Sequence, residues 1–128
     1  MTSLITQSIR VTASPSYDAR NSSPEHNNFF FMYHIFIENM GNDDVKVLRR
    51  RWTIYDVGYG FSNVDGEGVI GLTPEISPNN EFNYFSNVAL RSGIGYMSGS
   101  YTLLNMVTGV EFEVRIPRFI LFADCFLN

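Results

Sequence analysis

From Phe29 to Asn39 the chain alternates with period two. Phe31, Tyr33, Ile35 and Ile37 fall on one side of an extended segment, and Met32, His34, Phe36 and Glu38 on the other. A helix would scatter both sets around its circumference, so this stretch reads as a strand. The same alternation recurs. Ile5, Ile9 and Val11 alternate with Thr6, Ser8, Arg10 and Thr12 as a first strand, and Ala13 to Asn28 reads as a loop. In Val45 to Asp56 one face carries Leu48, Arg50, Trp52 and Ile54; the other carries Val47, Arg49, Arg51, Thr53 and Tyr55. Short extended runs follow at Phe61 to Val64 and Glu81 to Asn87, then around Met97 to Leu103 and Val110 to Leu121. Gly, Pro, Asn and Asp separate them. Pro74 and Pro78 bracket a connector able to make only edge pairing.

No segment holds a helical apolar period beyond two turns, and the connections are too short for crossover helices. The expected fold is all-β: an immunoglobulin- or fibronectin type III-like antiparallel sandwich of about seven or eight strands. The 128 residues suit one domain, 1–128, with its core in about 5–121. Hydrophobic residues at 45% and charged ones at 17% allow a core without disulfide or metal support. The lone Cys125 rules out an internal disulfide and fits a reducing compartment. Met1 to Arg10 lacks a charged start followed by an apolar run, and no apolar stretch reaches the length of a spanning helix. A cytoplasmic location without membrane association is expected. The net charge of −4 argues against nucleic-acid partners.

Several motifs stand in fixed order. They are Phe31-x-Tyr33-x-Ile35-x-Ile37-x-Asn39, Leu48-x-Arg50-x-Trp52-x-Ile54, and Val64-x-Gly66-x-Gly68-Val69-Ile70-Gly71-x-x-Pro74. After these come Tyr84-x-Ser86, Gly95-x-Met97-x-Gly99-x-Tyr101, and Phe112-x-Val114-x-Ile116-Pro117-x-Phe119-x-Leu121. Together, from about Ile5 to Leu121, they resemble the ApaG family. Two departures are visible: Pro78-Asn79 where the family usually has Pro-Gly, and Phe85 where it usually has Thr. The resemblance implies a fibronectin type III-like sandwich. It also implies kinship with small stand-alone bacterial proteins and with domains fused to F-box partners in eukaryotes. The family is linked by name to cobalt and magnesium resistance, with no established molecular activity. The fusions imply protein–protein interaction.

Gly66-x-Gly68-x-x-Gly71 has the spacing of a dinucleotide fingerprint, but that motif works where a strand hands over to a helix N-terminus. Here Leu72-Thr73-Pro74 follows and no helix-forming run begins. Gly66, Gly68 and Gly71 are therefore expected to permit tight turns, with a helix-free anion nest as the alternative. His26 and His34 stand far apart in character and near no Cys, so no metal site or cofactor is expected. Loop carboxylates such as Asp43, Asp44, Asp56 and Asp65 could at most hold a divalent cation weakly. No catalytic residue is assigned. Glu111 and Glu113 share a strand face about 6–7 Å apart, as a solvated face commonly does.

Arg49 and Arg51 read as exposed. Arg50, on the apolar face, needs a carboxylate or an aromatic ring beside it, with Trp52 or a Tyr as candidates. Trp52 reads as the central core residue, and Arg50, Tyr33, Tyr101 and Pro117 as structural. Phe30, Met32, His34 and Phe36 form the second face of the best strand. Either that face is open and serves a protein partner or self-association, or loops or the second sheet cover it. Phe119, Phe122 and Phe126 could join or cover it. The preferred function is a non-catalytic interaction module. The alternative is small-anion or nucleotide (pyrophosphate) binding through residues 64–71.

Overall fold

The computed structural model describes residues 1–126, with the side chain of Phe126 outside the described set. Among the described residues nine strands run in chain order: β1 (Thr2–Thr6), β2 (Ile9–Tyr17), β3 (Phe29–Asn39), β4 (Val45–Asp56), β5 (Gly60–Glu67), β6 (Glu75–Ile76), β7 (Glu81–Leu90), β8 (Ile94–Asn105) and β9 (Glu111–Phe122). The remaining elements are single turns of 3-10 helix. The first sheet has the order β1-β2-β3-β7 and the second β5-β4-β8-β9, all antiparallel. β6 pairs with Val45 and Lys46 on the edge of β4 that β5 occupies further along. The two sheets pack face to face as the expected sandwich.

The count exceeds the sequence reading for two local reasons. The expected first strand is a hairpin: Thr6 pairs with Ile9 around Gln7 and Ser8, both at positive φ. A two-residue turn of this kind favours Gly or Asn, so its sequence signal is missing. β2 then continues through Pro15, where a loop was expected. Pairing with β1 ends at Ala13, so β2 is an edge at Pro15 and the missing N–H breaks no ladder on that side. The second addition is the two-residue β6.

Two bulges decide which residues face inward. Val47 pairs with Leu103 and Arg49 with Thr102, so Leu48 is an extra residue. Alternation changes phase there. Val45 and Val47 are consequently buried along with Trp52, which corrects the placement of Val47 beside Arg49. On β9 the extra residue falls at Pro117–Arg118, since Gly99 pairs with Ile116 and Met97 with Phe119. Val114 and Ile116 face inward before the bulge, Phe119 and Leu121 after it.

Trp52, 3% exposed, sits between the sheets. Its ring meets Tyr33, Phe119 and Tyr101 edge-on at 5.4, 5.9 and 6.4 Å between centroids. Edge-to-face contacts of this kind add to the stabilisation from burial. Asn39 is the other inward polar residue of note. Its Nδ2 donates to the carbonyls of Asp43 and Ile76, and its Oδ1 accepts from the N–H of Gly41. These bonds offset the cost of burying the amide.

The long sides of the sandwich differ. On one, β1 and β2 lie against β9, and the Arg115 N–H donates to Thr6 Oγ1 at 3.2 Å. On the other, β7 and β5 end their sheets, with no strand beyond them among the described residues.

Candidate functional site

Between β5 and β7 the interior opens as a cleft of about 220 Å³. Tyr33, Tyr84, Ser86 and Val88 line it from the first sheet, and Arg50, Trp52 and Val64 from the second. Alternation along β4 and β7 aims these residues inward, and the sheet order brings them together. Hydroxyl groups occupy its depth. Tyr84 and Tyr101 hydrogen-bond to each other, and Tyr33 sits opposite Ser86 in the β3–β7 register. Burial pushes the ionisation of Tyr33, Tyr84 and Tyr101 above the usual tyrosine range, because a phenolate there would lose its hydration. For Tyr33, the neighbouring Ser86 side chain and the positive charge of Arg50 offset part of that rise.

Arg50 borders the cleft, and among the described residues it has neither the carboxylate nor the stacked aromatic ring expected as its partner. Its Nη1 donates to the carbonyls of Glu67 and Gly68 at 2.9 and 3.1 Å. The guanidinium lies over Gly66: a Cβ there would stand 2.7 Å from Arg50 Cζ. Gly66 thus provides the space in which the cation reaches the chain. Gly68 has φ +59°, and a side chain there would collide with the Leu72 carbonyl. Its N–H donates to the Leu48 carbonyl at 2.6 Å, and Val69 exchanges backbone bonds with Leu72. Gly71 completes a tight turn with Ile70, both at positive φ. The segment then enters Pro74 and β6 rather than a helix. The N–H groups of Gly68 and Val69 are thereby committed within the fold.

The second face of β3 lies outward. Phe30, Met32, His34 and Phe36 are half-buried on the outer surface of the first sheet, while the second sheet packs on the opposite surface. β7 adds to this strip. Phe85 pairs in register with His34, stacks on it at 3.9 Å between ring centroids, and is 59% exposed. Phe36 flanks the same imidazole at 4.1 Å, and His34 Nε2 shares a 3.0 Å hydrogen bond with Asn83 Oδ1. Phe119 belongs instead to the core, and Phe122 is exposed on the outer face of the second sheet.

The sequence reading passed over Phe85, Asn83, Tyr84 and Ser86 as site residues. Alternation identified the two faces of β7, but nothing local to it announces β3 as its neighbour.

The remaining charged candidates are spread out. Arg49 pairs with Glu111 at 2.8 Å and Arg51 with Asp65 at 3.6 Å, all exposed. Asp56 accepts from the Arg91 and Ser92 N–H groups, securing the β7–β8 turn. Asp43 accepts from Asn105 Nδ2 at 3.1 Å. His26 stands 3.6 Å from Glu25, away from His34. Among the described residues, no group of three or more His, Cys, Asp or Glu gathers as metal ligands, and no helix is long and apolar enough to cross a membrane.

A family model described as the ApaG domain matches residues 19–105. The chain belongs to the ApaG family. The Protein ApaG of Shewanella halifaxensis is 41% identical over 117 residues, covering 91% of this chain and 92% of its own. That of Rhodospirillum centenum is 41% identical over 119 residues, covering 93% and 91%. The crystal structure of a Bordetella pertussis protein assigned to ApaA superposes with TM-score 0.86 at 33% identity, covering 90% of this chain and 93% of that one. The ApaG sandwich is therefore shared beyond this sequence. Phe85 adds an exposed ring to the outer aromatic strip of this ApaG chain.

Proposed function

We propose that this ApaG-family chain is a non-catalytic protein-interaction module whose contact surface is the outer face of its first sheet. The observation that carries this reading is the His34–Phe36–Phe85 stack, continued by Phe30 and Met32, on a face that the second sheet leaves uncovered. Apolar rings in a contiguous strip gain free energy when another surface removes them from water. Phe85 is exposed, so Phe85→Glu should leave the melting transition nearly unchanged, within about 0.5 kcal/mol. The same change should abolish partner capture or self-association, read by pull-down and size-exclusion chromatography. Arg118→Ala, on the outer face of the other sheet, serves as a control that keeps binding. A partner retained equally by Phe85→Glu would refute the assignment.

The alternative is a small-anion or nucleotide site at residues 64–71, supported by the cation of Arg50 beside the Gly-rich turn. It has fewer donors to draw on, because the Gly68 and Val69 N–H groups are already bonded. A melting-point rise with pyrophosphate or nucleotide that Arg50→Gln removes would favour it.

A further inference from the structure

We infer that the open side of the sandwich receives an extended peptide strand from a protein partner, paired to β7, with an acidic side chain reaching Arg50. The inference rests on the interaction reading above and adds a site and a partner chemistry to it.

The first support is the edge of β7. Glu81–Leu90 pairs with β3 along one edge, and among the described residues no backbone group pairs along the other. Its sequence, EFNYFSNVAL, contains no Lys, Pro or Gly, the residues that commonly blunt or interrupt an exposed edge. An added strand would find a row of free N–H and C=O groups, the basis of recognition by strand addition. The second support is the place where its side chains would fall. Alternate residues of a strand beside β7 point inward, over the cleft whose rim is Val64, 42% exposed, and Val88. At about 220 Å³ the cleft is smaller than the usual pocket for a whole small-molecule ligand, which begins near 300 Å³, and suits one or two side chains.

Charge complementarity selects the side chain. Arg50 lines the cleft, and its protein bonds come from Nη1 to backbone carbonyls. No carboxylate among the described residues pairs with it, so its Nε and Nη2 are available to a planar acceptor. A Glu or Asp carboxylate matches that fork. The outward side chains of the same added strand would run beside Phe85, so cleft and aromatic strip form one continuous surface.

The test is selection of binders to the full-length chain from a random linear-peptide display library, followed by titration of a selected peptide into isotope-labelled protein. Selected peptides should share an acidic residue among β-formers. Binding should slow amide exchange along Glu81–Leu90. Arg50→Gln, or replacement of the peptide's acid by its amide, should weaken binding about tenfold or more. Arg50→Gln also removes structural bonds, so Val64→Glu is the second variant. It places a repelling carboxylate at an exposed rim position and should cause a similar loss with the fold intact. Recovery of no peptide, binding unchanged by Val64→Glu, protection mapping away from β7, or pairing of β7 with a second copy of the chain overturns the inference. A captured partner protein lost by Phe85→Glu but kept by Val64→Glu sinks strand addition and leaves the interaction reading standing. The reverse outcome sinks the outer-face reading alone.

Discussion

Along one side of the sandwich β1 and β2 lie against β9, and the Arg115 N–H bonds directly to Thr6; along the other, β5 and β7 leave a gap that Arg50 partly occupies. The closed side is apolar inside: Ile9, Val11 and Ala13 of β2 are buried in the same core as Val114 and Ile116 of β9. The open side collects Tyr33, Tyr84 and Arg50 around the cleft, with Tyr101 behind them. Each of these groups carries donors or acceptors that cost free energy if left bare away from water. The Tyr84 and Tyr101 hydroxyls answer this by bonding to each other; the guanidinium does so through carbonyls made reachable by Gly66. Apolar contact therefore closes one side, whereas the other is kept open and supported by polar pairs. A site that receives something from outside belongs on the second kind of side.

Removing the residue common to both sides gives the largest expected effect. Trp52→Ala deletes the ring that touches Tyr33, Tyr101 and Phe119 and should cost about 3–5 kcal/mol in denaturant unfolding. A cooperative transition close to wild type would break the account of the core.

Tyr84→Phe acts on the open side alone. It strands the buried Tyr101 hydroxyl and should cost about 1–3 kcal/mol, whereas the double change with Tyr101→Phe should recover much of that loss. Alkaline pH sharpens the same point. The folded state holds these phenolic protons above the pH near 10 at which the unfolded chain releases them. Their contribution is thus complete below about pH 10 and is lost as pH rises beyond it. The double variant should lose less stability between about pH 10 and 11 than wild type, measured by melting across that range. An unchanged alkaline slope would count against burial as the cause.

Gly66→Ala should move the guanidinium off its carbonyls at a cost of about 1–2 kcal/mol. Amide exchange should rise at Glu67 and Gly68 while β1 and β9 stay as protected as before. Equal loosening of both sides would show that they are not separable. The smallest effect is expected on the closed side: Thr6→Val removes one exposed side-chain bond and should cost about 0.5–1 kcal/mol by thermal unfolding.

How much was legible in the chain varies by residue. Trp52 was assigned inward from alternation and is buried, whereas alternation separated the two apolar faces of Phe29 to Asn39 without saying that the Ile35 face is the inner one. Val47 was misassigned, because one extra residue at Leu48 reverses the phase and nothing in Val45 to Asp56 marks the insertion. The bulge at Pro117 was written in the spacing of Val114, Ile116, Phe119 and Leu121, where the buried period skips a step. Asn79, the substitute for the family's usual Gly, does adopt positive φ, as Asn can at low cost. The role of Gly66 was hidden. Its neighbour is Arg50 on an adjoining strand, whereas the spacing grouped it with Gly68 and Gly71 as a turn residue.

By itself the sequence determined the extended segments, most of their inward faces, the turn chemistry and the family, because side-chain alternation and turn preferences are local properties of a backbone. Only the tertiary structure decided that β7 joins β3, that the outer face of β3 stays uncovered, and that Arg50 meets carbonyls instead of a carboxylate or an aromatic ring. Those outcomes depend on which distant strands become neighbours and where a bulge shifts their register. Contacts across tens of residues leave no periodic trace in the chain.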